Sequence, residues 1–284
     1  MREDPIIRAE SLEKLRKSAD IRIIDCRFDL TDVHAGRRAY RQAHIPGAGF
    51  LDLNRDLAAP PEPDTGRHPL PDVVSISSTL SALGVDKNTR VVVYDSGNGA
   101  IAARAWWVLR WLGHDKTQLL DGGFTEWLAR GLPTSSSREQ FVTRKFIARV
   151  RDEMVITTEE LKEMSIGPGG ATLVDARDPA RFGGEFEPID RVAGHVPGAI
   201  NFPFPMSLTD KGMWRSRDEL EARWRACLGD DTGASWLAMC GSGVTACHLA
   251  ISAIQAGYRE PRLYVGSWSE WISDPGRPIG VGAD

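Results

Sequence analysis

Leu173-Val174-Asp175-Ala176-Arg177 repeats, 150 positions later, the stretch Ile23-Ile24-Asp25-Cys26-Arg27, and this recurrence decides how the chain is read. Working outward, three more pairs keep the same order. His44-Ile45-Pro46-Gly47-Ala48 returns as His195-Val196-Pro197-Gly198-Ala199, and Val93-Tyr94-Asp95-Ser96-Gly97 lines up with Ala238-Met239-Cys240-Gly241-Ser242. Gly122-Gly123-Phe124-Thr125-Glu126-Trp127 returns as Gly266-Ser267-Trp268-Ser269-Glu270-Trp271. A period near 145 residues is far too long for a solenoid repeat, so one whole domain occurs twice. A length of 284 residues suits about two domains, each large enough to bury its own core. The expected division is 1–135 for the first copy, 136–150 for a linker and 151–284 for the second copy. The polar, serine-rich run Pro133 to Gln140 reads as exposed, and the mixed stretch from Phe141 to Val155 as a surface strap.

Within each copy short apolar runs alternate with helical stretches. In the second copy, Ala171–Asp175, Ser235–Met239 and Arg262–Val265 read as buried strands. Thr157-Thr158-Glu159-Glu160 and Ser216-Arg217-Asp218-Glu219 carry the capping-box pattern that opens a helix. Thr245 to Gln255 is a helical run closed by Gly257. Alternating strands and helices predict an α/β fold, each copy a mainly parallel sheet flanked by helices. Working sites of such sheets lie at the carboxyl ends of the strands, here just after Asp175 and Met239.

Composition removes several classes of function. There are 35 Lys and Arg against 39 Asp and Glu, so the formal charge is −4, with no basic excess to neutralise a nucleic-acid backbone. Apolar runs fall far short of the ~20 residues of a membrane span. The stretch from Met1 to Leu15 carries Arg2, Glu3, Asp4, Arg8, Glu10, Glu13 and Lys14, without the apolar core of a secretory signal. Cys26, Cys227, Cys240 and Cys247 form neither a disulfide framework nor a Cys-x-x-Cys pair, and the six histidines are scattered. The expectation is a cytoplasmic protein with no metal, no cofactor, no nucleic-acid partner and no membrane.

Met239-Cys240-Gly241-Ser242-Gly243-Val244-Thr245 joins a predicted strand to a predicted helix. Gly241 and Gly243 permit a tight loop whose N–H groups, with those of Val244 and Thr245, turn inward at a helix N-terminus. A thiol at the head of such a loop is stabilised as thiolate, the reactive form. The same donors suit a second anionic sulfur, so persulfide formation on Cys240 is the chemistry that fits. Cys26, Cys227 and Cys247 read instead as small buried hydrophobes. The first copy has Asp95 in the equivalent place, and a carboxylate forms no persulfide; that copy is expected to be inactive. Two rivals are a non-catalytic docking module and a cysteine phosphatase. The phosphatase needs an arginine at the end of its loop to grip phosphate, and Thr245-Ala246-Cys247 has none.

Together, the paired domains, Asp-x-Arg, His-x-Pro-Gly-Ala, Cys-Gly-Ser-Gly-Val-Thr and the two Glu-Trp endings resemble the tandem-domain rhodaneses, the thiosulfate and 3-mercaptopyruvate sulfurtransferases. The resemblance runs from about Ile21 to Trp271. It implies two rhodanese-like domains, a small-molecule sulfur donor, and an acceptor that is cyanide, a small thiol or a thioredoxin-type protein. A loop reading Cys-Gly-Ser-Gly-Val-Thr implies 3-mercaptopyruvate as donor, with thiosulfate as the alternative. No cation stands in this loop, which disfavours a dianion. The resemblance further implies that Arg181 holds the donor's anionic end. The family's second arginine place falls on Pro188, for which Arg191, displaced by three residues, is the substitute. Ser242 and His68 match a serine and a histidine of a proton relay whose acid place falls on Asn54, with Asp52 and Asp56 as substitutes; a structural loop role is the alternative for His68. His44, His195, Asp25, Arg27, Asp175 and Arg177 occur in both copies and read as structural, as do core Trp106, Trp107 and Trp111. His248 reads as packed or solvent-facing.

Overall fold

The computed structural model describes residues 4–18 and 20–282. Arg2 and Glu3 of the charged amino-terminal stretch lie outside the described residues, as do the outermost ends of both expected domains. The chain divides into two compact units. One comprises Met1–Ala59, Leu70–Arg151 and Asp210–Trp214; the other comprises Pro60–Pro69, Asp152–Thr209 and Arg215–Asp284. Ten residues from within the first repeat therefore pack as part of the second unit.

The first unit holds strands β1 (Ile6–Ile7), β2 (Ile21–Asp25), β3 (Ala48–Phe50), β4 (Arg90–Tyr94) and β5 (Thr117–Leu120) in the order β1-β5-β4-β2-β3, all parallel. The second unit holds β6 (Val155–Ile156), β7 (Thr172–Asp175), β8 (Ile200–Asn201), β9 (Trp236–Met239) and β10 (Arg262–Tyr264) in the order β6-β10-β9-β7-β8, again all parallel. Adding five to each strand number turns one order into the other.

Helices α1 (Ala9–Leu15), α2 (Ala35–Gln42), α3 (Val73–Ala82), α4 (Ala102–Trp111) and α5 (Gly123–Ala129) belong to the first unit. Helices α6 (Thr158–Glu163), α7 (Pro179–Phe182), α8 (Arg217–Leu228), α9 (Ala246–Gln255) and α10 (Ser267–Trp271) belong to the second. Parallel strands need crossovers, and helices covering both faces bury successive strand residues alike. Val91, Val92, Val93 and Tyr94 of β4 are all buried, as are all four residues of β9. Trp106, Trp107 and Trp111 are residues of α4 and are buried in the core, as expected. Both expected capping boxes form: Thr157 with Glu160 opens α6, and Ser216 with Glu219 opens α8.

The structural readings of the repeated motifs hold. Arg27 and Arg177 each grip the carboxylate two residues earlier, Nη2 to Oδ2 at 2.6 Å in both copies. Each guanidinium also covers an aromatic ring, Phe124 at 4.3 Å and Trp268 at 4.6 Å. His44 and His195 turn Nδ1 to the carbonyls of Tyr40 and Phe182. His248 is fully buried, edge-on to Phe204, so packing is its place. Cys26 and Cys247 are buried and Cys227 is half-buried. Residues 133–140 are largely exposed, while farther along the strap Phe146 is buried and the Arg149 and Arg151 N–H groups donate to the carbonyls of Leu112 and Trp111.

Candidate active site

Strand β9 ends at Met239 in the middle of its sheet, and six residues, Cys240 to Thr245, lead into α9. Contacts from α10 clamp the start of this loop. The Cys240 N–H donates to Ser267 Oγ at 3.1 Å, the Cys240 carbonyl accepts from Trp268 N–H, and the Gly241 carbonyl accepts from Ser269 N–H. Gly243 has φ +71°, and a side chain there would run into the Val265 backbone. The geometry permits only glycine. Cys240 is 2% exposed.

The first copy shows what such a loop does for an anion. Asp95 follows β4, and its carboxylate accepts four backbone N–H groups: Gly97 and Gly99 on Oδ1 at 3.0 Å, Ile101 and Ala102 on Oδ2 at 2.9 and 3.1 Å. The clamp is the same, with Phe124 and Thr125 N–H donating to the carbonyls of Asp95 and Ser96.

Ser267 is the one described non-glycine residue at positive φ, +52°. The matching residue of the first copy is Gly123, at +54°. A side chain in this left-handed region costs about 1–2 kcal/mol. What the serine adds is a hydroxyl that accepts from Cys240 N–H while donating to the Tyr264 carbonyl at 2.8 Å. Sequence reading passed over this residue, although the Gly-to-Ser exchange is visible once the copies are aligned.

Of the expected site residues, the structure brings together Cys240, Gly241, Ser242, Gly243, Val244, Thr245, His68 and Arg181. His68 Nδ1 lies 2.8 Å from Ser242 Oγ, with both side chains buried. Asn54, Asp52 and Asp56 belong to the first unit, where Asp52 Oδ1 accepts from the Asn54 and Arg55 N–H groups and Asp56 Oδ2 from the Asp52 N–H. Burial pushes the Asp56 carboxyl above its ordinary range.

Arg181, on α7, is engaged rather than free: its Nε is 2.9 Å from both Glu187 carboxylate oxygens and its Nη2 is 3.1 Å from Asp190 Oδ2. Arg191 is turned elsewhere, its Nη2 donating to the Ile272 carbonyl. The second guanidinium beside the loop comes instead from Arg67. A Cβ placed on Gly241 would lie 3.0 Å from Arg67 Nη2 and 3.4 Å from Arg181 Nη2. Beside Gly241 the structure therefore places Arg181 and Arg67, while Arg191, the other expected arginine, is engaged with the Ile272 carbonyl. Arg67 stands in sequence beside His68, which was singled out, but adjacency alone does not show which side chain faces the loop.

Burial works to raise the Glu187 carboxyl, but hydrogen bonds from Arg181 and from the Asp190 and Ile189 N–H groups outweigh it and hold Glu187 below its ordinary range. For Asp190, burial and the neighbouring Glu187 prevail over Arg67 and Arg181, and the carboxyl is raised. Among the described residues no group of three or more His, Cys, Asp or Glu is arranged to hold a metal, and no helix is long and apolar enough to cross a membrane.

Two segments, residues 8–130 and 157–274, match the Rhodanese-like domain family. The chain belongs to the rhodanese family. Its relatives span it almost end to end. A Pseudomonas aeruginosa protein named "Probable 3-mercaptopyruvate sulfurtransferase" is 44% identical over 279 residues, 98% of each chain. The thiosulfate sulfurtransferase of Bos taurus is 33% identical over 271 residues, 93% of this chain and 89% of that one. Among solved structures, the Escherichia coli 3-mercaptopyruvate sulfotransferase SseA superposes with a TM-score of 0.79 at 29% identity, covering 94% of this chain and all of that one. This rhodanese is an enzyme of the sulfurtransferase class, which sets aside the docking-module and phosphatase readings.

Proposed function

We propose that Cys240 carries sulfur from 3-mercaptopyruvate to a thiol or cyanide acceptor. The observation that supports this most is the pairing of the two loops: where the first copy surrounds a carboxylate with four N–H donors, the second places a thiol at the head of a six-residue loop that opens a helix. N–H donors and a helix dipole suit the negative charge of a persulfide's outer sulfur. In the transfer, the Cys240 thiolate attacks the donor sulfur and the S–S bond forms as the carbon–sulfur bond breaks. The bonding pair leaves as the enolate of pyruvate. The donor's thiol proton ends on the enolate carbon, so the products are Cys–S–S⁻ and pyruvate. Ser242 and His68, 2.8 Å apart, suit the relay of that proton. An acceptor nucleophile then takes the outer sulfur and returns the thiolate.

Arg181 suits the donor carboxylate, since a guanidinium pairs with a carboxylate through two hydrogen bonds. Thiosulfate is the second reading, favoured by one observation: two guanidinium groups, not one, stand beside Gly241. Four cysteines that are all free thiols fit a reducing, cytoplasmic setting. The test is intact-protein mass after exposure to 3-mercaptopyruvate without acceptor. The wild type gains about 32 Da, one sulfur of the persulfide ladder, mapped to Cys240. Cys240→Ser gains nothing and turns over no donor; a variant that still turned over would overturn the assignment. Arg181→Gln raises the KM for 3-mercaptopyruvate about 10–100-fold, the worth of a charged hydrogen-bonded pair.

A further inference from the structure

At the edge of the second sheet a cleft of about 590 Å³ opens between β8 and α8. Ala222 and Ala226, one helical turn apart, leave the α8 wall low, and Cys227 closes its end. Ile200 and Met206 stand on the other wall, each 39% exposed. The first unit has the same place, and there it is filled. Gly49 of β3 corresponds to Ile200, since Gly49 pairs with Ile24 as Ile200 pairs with Val174. Helix α3 starts from a cap at Asp72 as α8 starts from Ser216, and Ile76 and Leu80 are buried at the same steps as Leu220 and Trp224. Counted from the caps, Leu83 corresponds to Cys227. A Cβ placed on Gly49 would lie 2.6 Å from Leu83 Cδ2 and 3.5 Å from the Phe141 ring, over which Arg22 also lies at 5.3 Å. Phe141 opens the strap. The Arg144 and Phe146 N–H groups then donate to the Ser81 carbonyl and hydroxyl at 3.0 and 3.1 Å, and Arg144 Nη1 stands 3.5 Å from Asp86 Oδ2. A segment without helix or strand, Phe141 to Phe146, thus covers this face of the first unit.

We propose that the β8–α8 cleft docks a segment of a partner protein, an aromatic residue seated between Ile200 and Cys227 and a basic residue three positions later. Phe141 and Arg144 show that spacing in the first unit. The two walls have exchanged sizes, Gly49 and Leu83 against Ile200 and Cys227, and both pairs present an apolar lining. Asp231 keeps the place of Asp86. Each carboxylate accepts from the N–H two residues on at 2.9 Å, and each carbonyl from the N–H three residues on. Asp231 is exposed, and among the described residues no ion pair engages it, so a basic residue of the segment meets an acid that is available. The residues that follow the second copy turn away. Gly280 bridges to His195 as Ser135 bridges to His44, and the Gly282 N–H then donates to the Gly183 carbonyl. Uncovered apolar surface beside an available charge is the footing of a docking site. Its role does not depend on the sulfur chemistry at Cys240.

The probe is a fluorescein-labelled peptide of residues 138–148, the strap's own sequence, titrated with the full-length protein and read by fluorescence anisotropy. Wild type should bind it saturably. Ala226→Trp, which fills the cleft from an exposed helix face, should weaken binding at least about 10-fold, and so should Phe141→Ala in the peptide. Asp231→Lys should weaken it about 3-fold in about 50 mM salt, a difference that shrinks in about 0.5 M. With p-benzoylphenylalanine in the Phe141 place of the peptide, photo-crosslinks should map to residues 200–206 and 217–228. No saturation up to about 1 mM, equal affinity in Ala226→Trp or Asp231→Lys or of the Phe141→Ala peptide, or crosslinks confined to the first unit would overturn the proposal. Two other occupants are also tested. A chain that light scattering shows as a dimer, made monomeric by Ala226→Trp, would assign the cleft to a second copy; a cleft that takes octanoate but not the peptide would be a small-molecule site. Either result overturns the partner segment. Should Ala226→Trp not fold, Ala222→Trp decides by the same measure.

Discussion

Asp95 and Cys240 end equivalent strands in sheets of identical order, and each is clamped by the helix that follows the last strand of its unit. The loops differ by one residue, seven from Asp95 to Ile101 against six from Cys240 to Thr245. The aspartate fills its cradle with its own carboxylate, and that loop has become a closed, self-satisfied piece of structure. The cysteine has a shorter side chain with no oxygens, and its loop carries two guanidinium groups beside Gly241 and a histidine on Ser242. Under the proposed function, the comparison teaches that one scaffold serves stability in one copy and chemistry in the other, according to whether the anion is built in or brought in.

The harshest test of that view is Cys240→Asp, which copies the first loop into the second. It should fold, with a thermal midpoint near that of the wild type, while sulfur transfer drops by about 10³-fold or more, to background. Asp95→Ala breaks the comparison from the other side. Four N–H groups, two buried and two half-buried, lose their acceptor, so urea unfolding should show about 2–4 kcal/mol lost, with sulfur loading of Cys240 intact. His68→Gln sharpens the chemical half: kcat with 3-mercaptopyruvate should fall about 100-fold, while thiosulfate, which leaves no carbanion to protonate, changes by less than about 3-fold.

Ser267→Gly makes the second clamp resemble Gly123 of the first. Relief of the left-handed backbone and loss of the Cys240 N–H bond are each worth about 1 kcal/mol, so stability should hardly move while kcat falls several-fold. The smallest effect concerns pH. Asp190 is raised because burial disfavours its charge, and Arg67, Arg181, Arg177 and Glu187 face it. As pH falls toward its titration Asp190 becomes neutral, the guanidinium pair is released, and the KM for thiosulfate should decrease. In Asp190→Asn that dependence should be absent; a parallel slope in both proteins would assign it to another group.

Much of this was legible in one dimension. The duplication, the parallel α/β class, the capping boxes at Thr157 and Ser216 and the loop that carries the proposed nucleophile Cys240 all rest on local patterns that a chain cannot easily wear for another reason. Glycines at 241 and 243 between a strand and a helix announce a tight loop because few other residues permit one. What no linear pattern carries is the company such a loop keeps. Arg67 lies 173 positions before Cys240, and only folding brings residues 60–69 into the second unit and turns that guanidinium to Gly241. Arg191, nearer in sequence, is turned to a backbone carbonyl instead. Sequence determined the scaffold and the loop that presents the proposed reacting atom, because hydrophobic periodicity, caps and turns act over a few residues. Tertiary structure decided the charges around it, because Coulomb forces and hydrogen bonds depend on distance in space and take no account of separation along the chain.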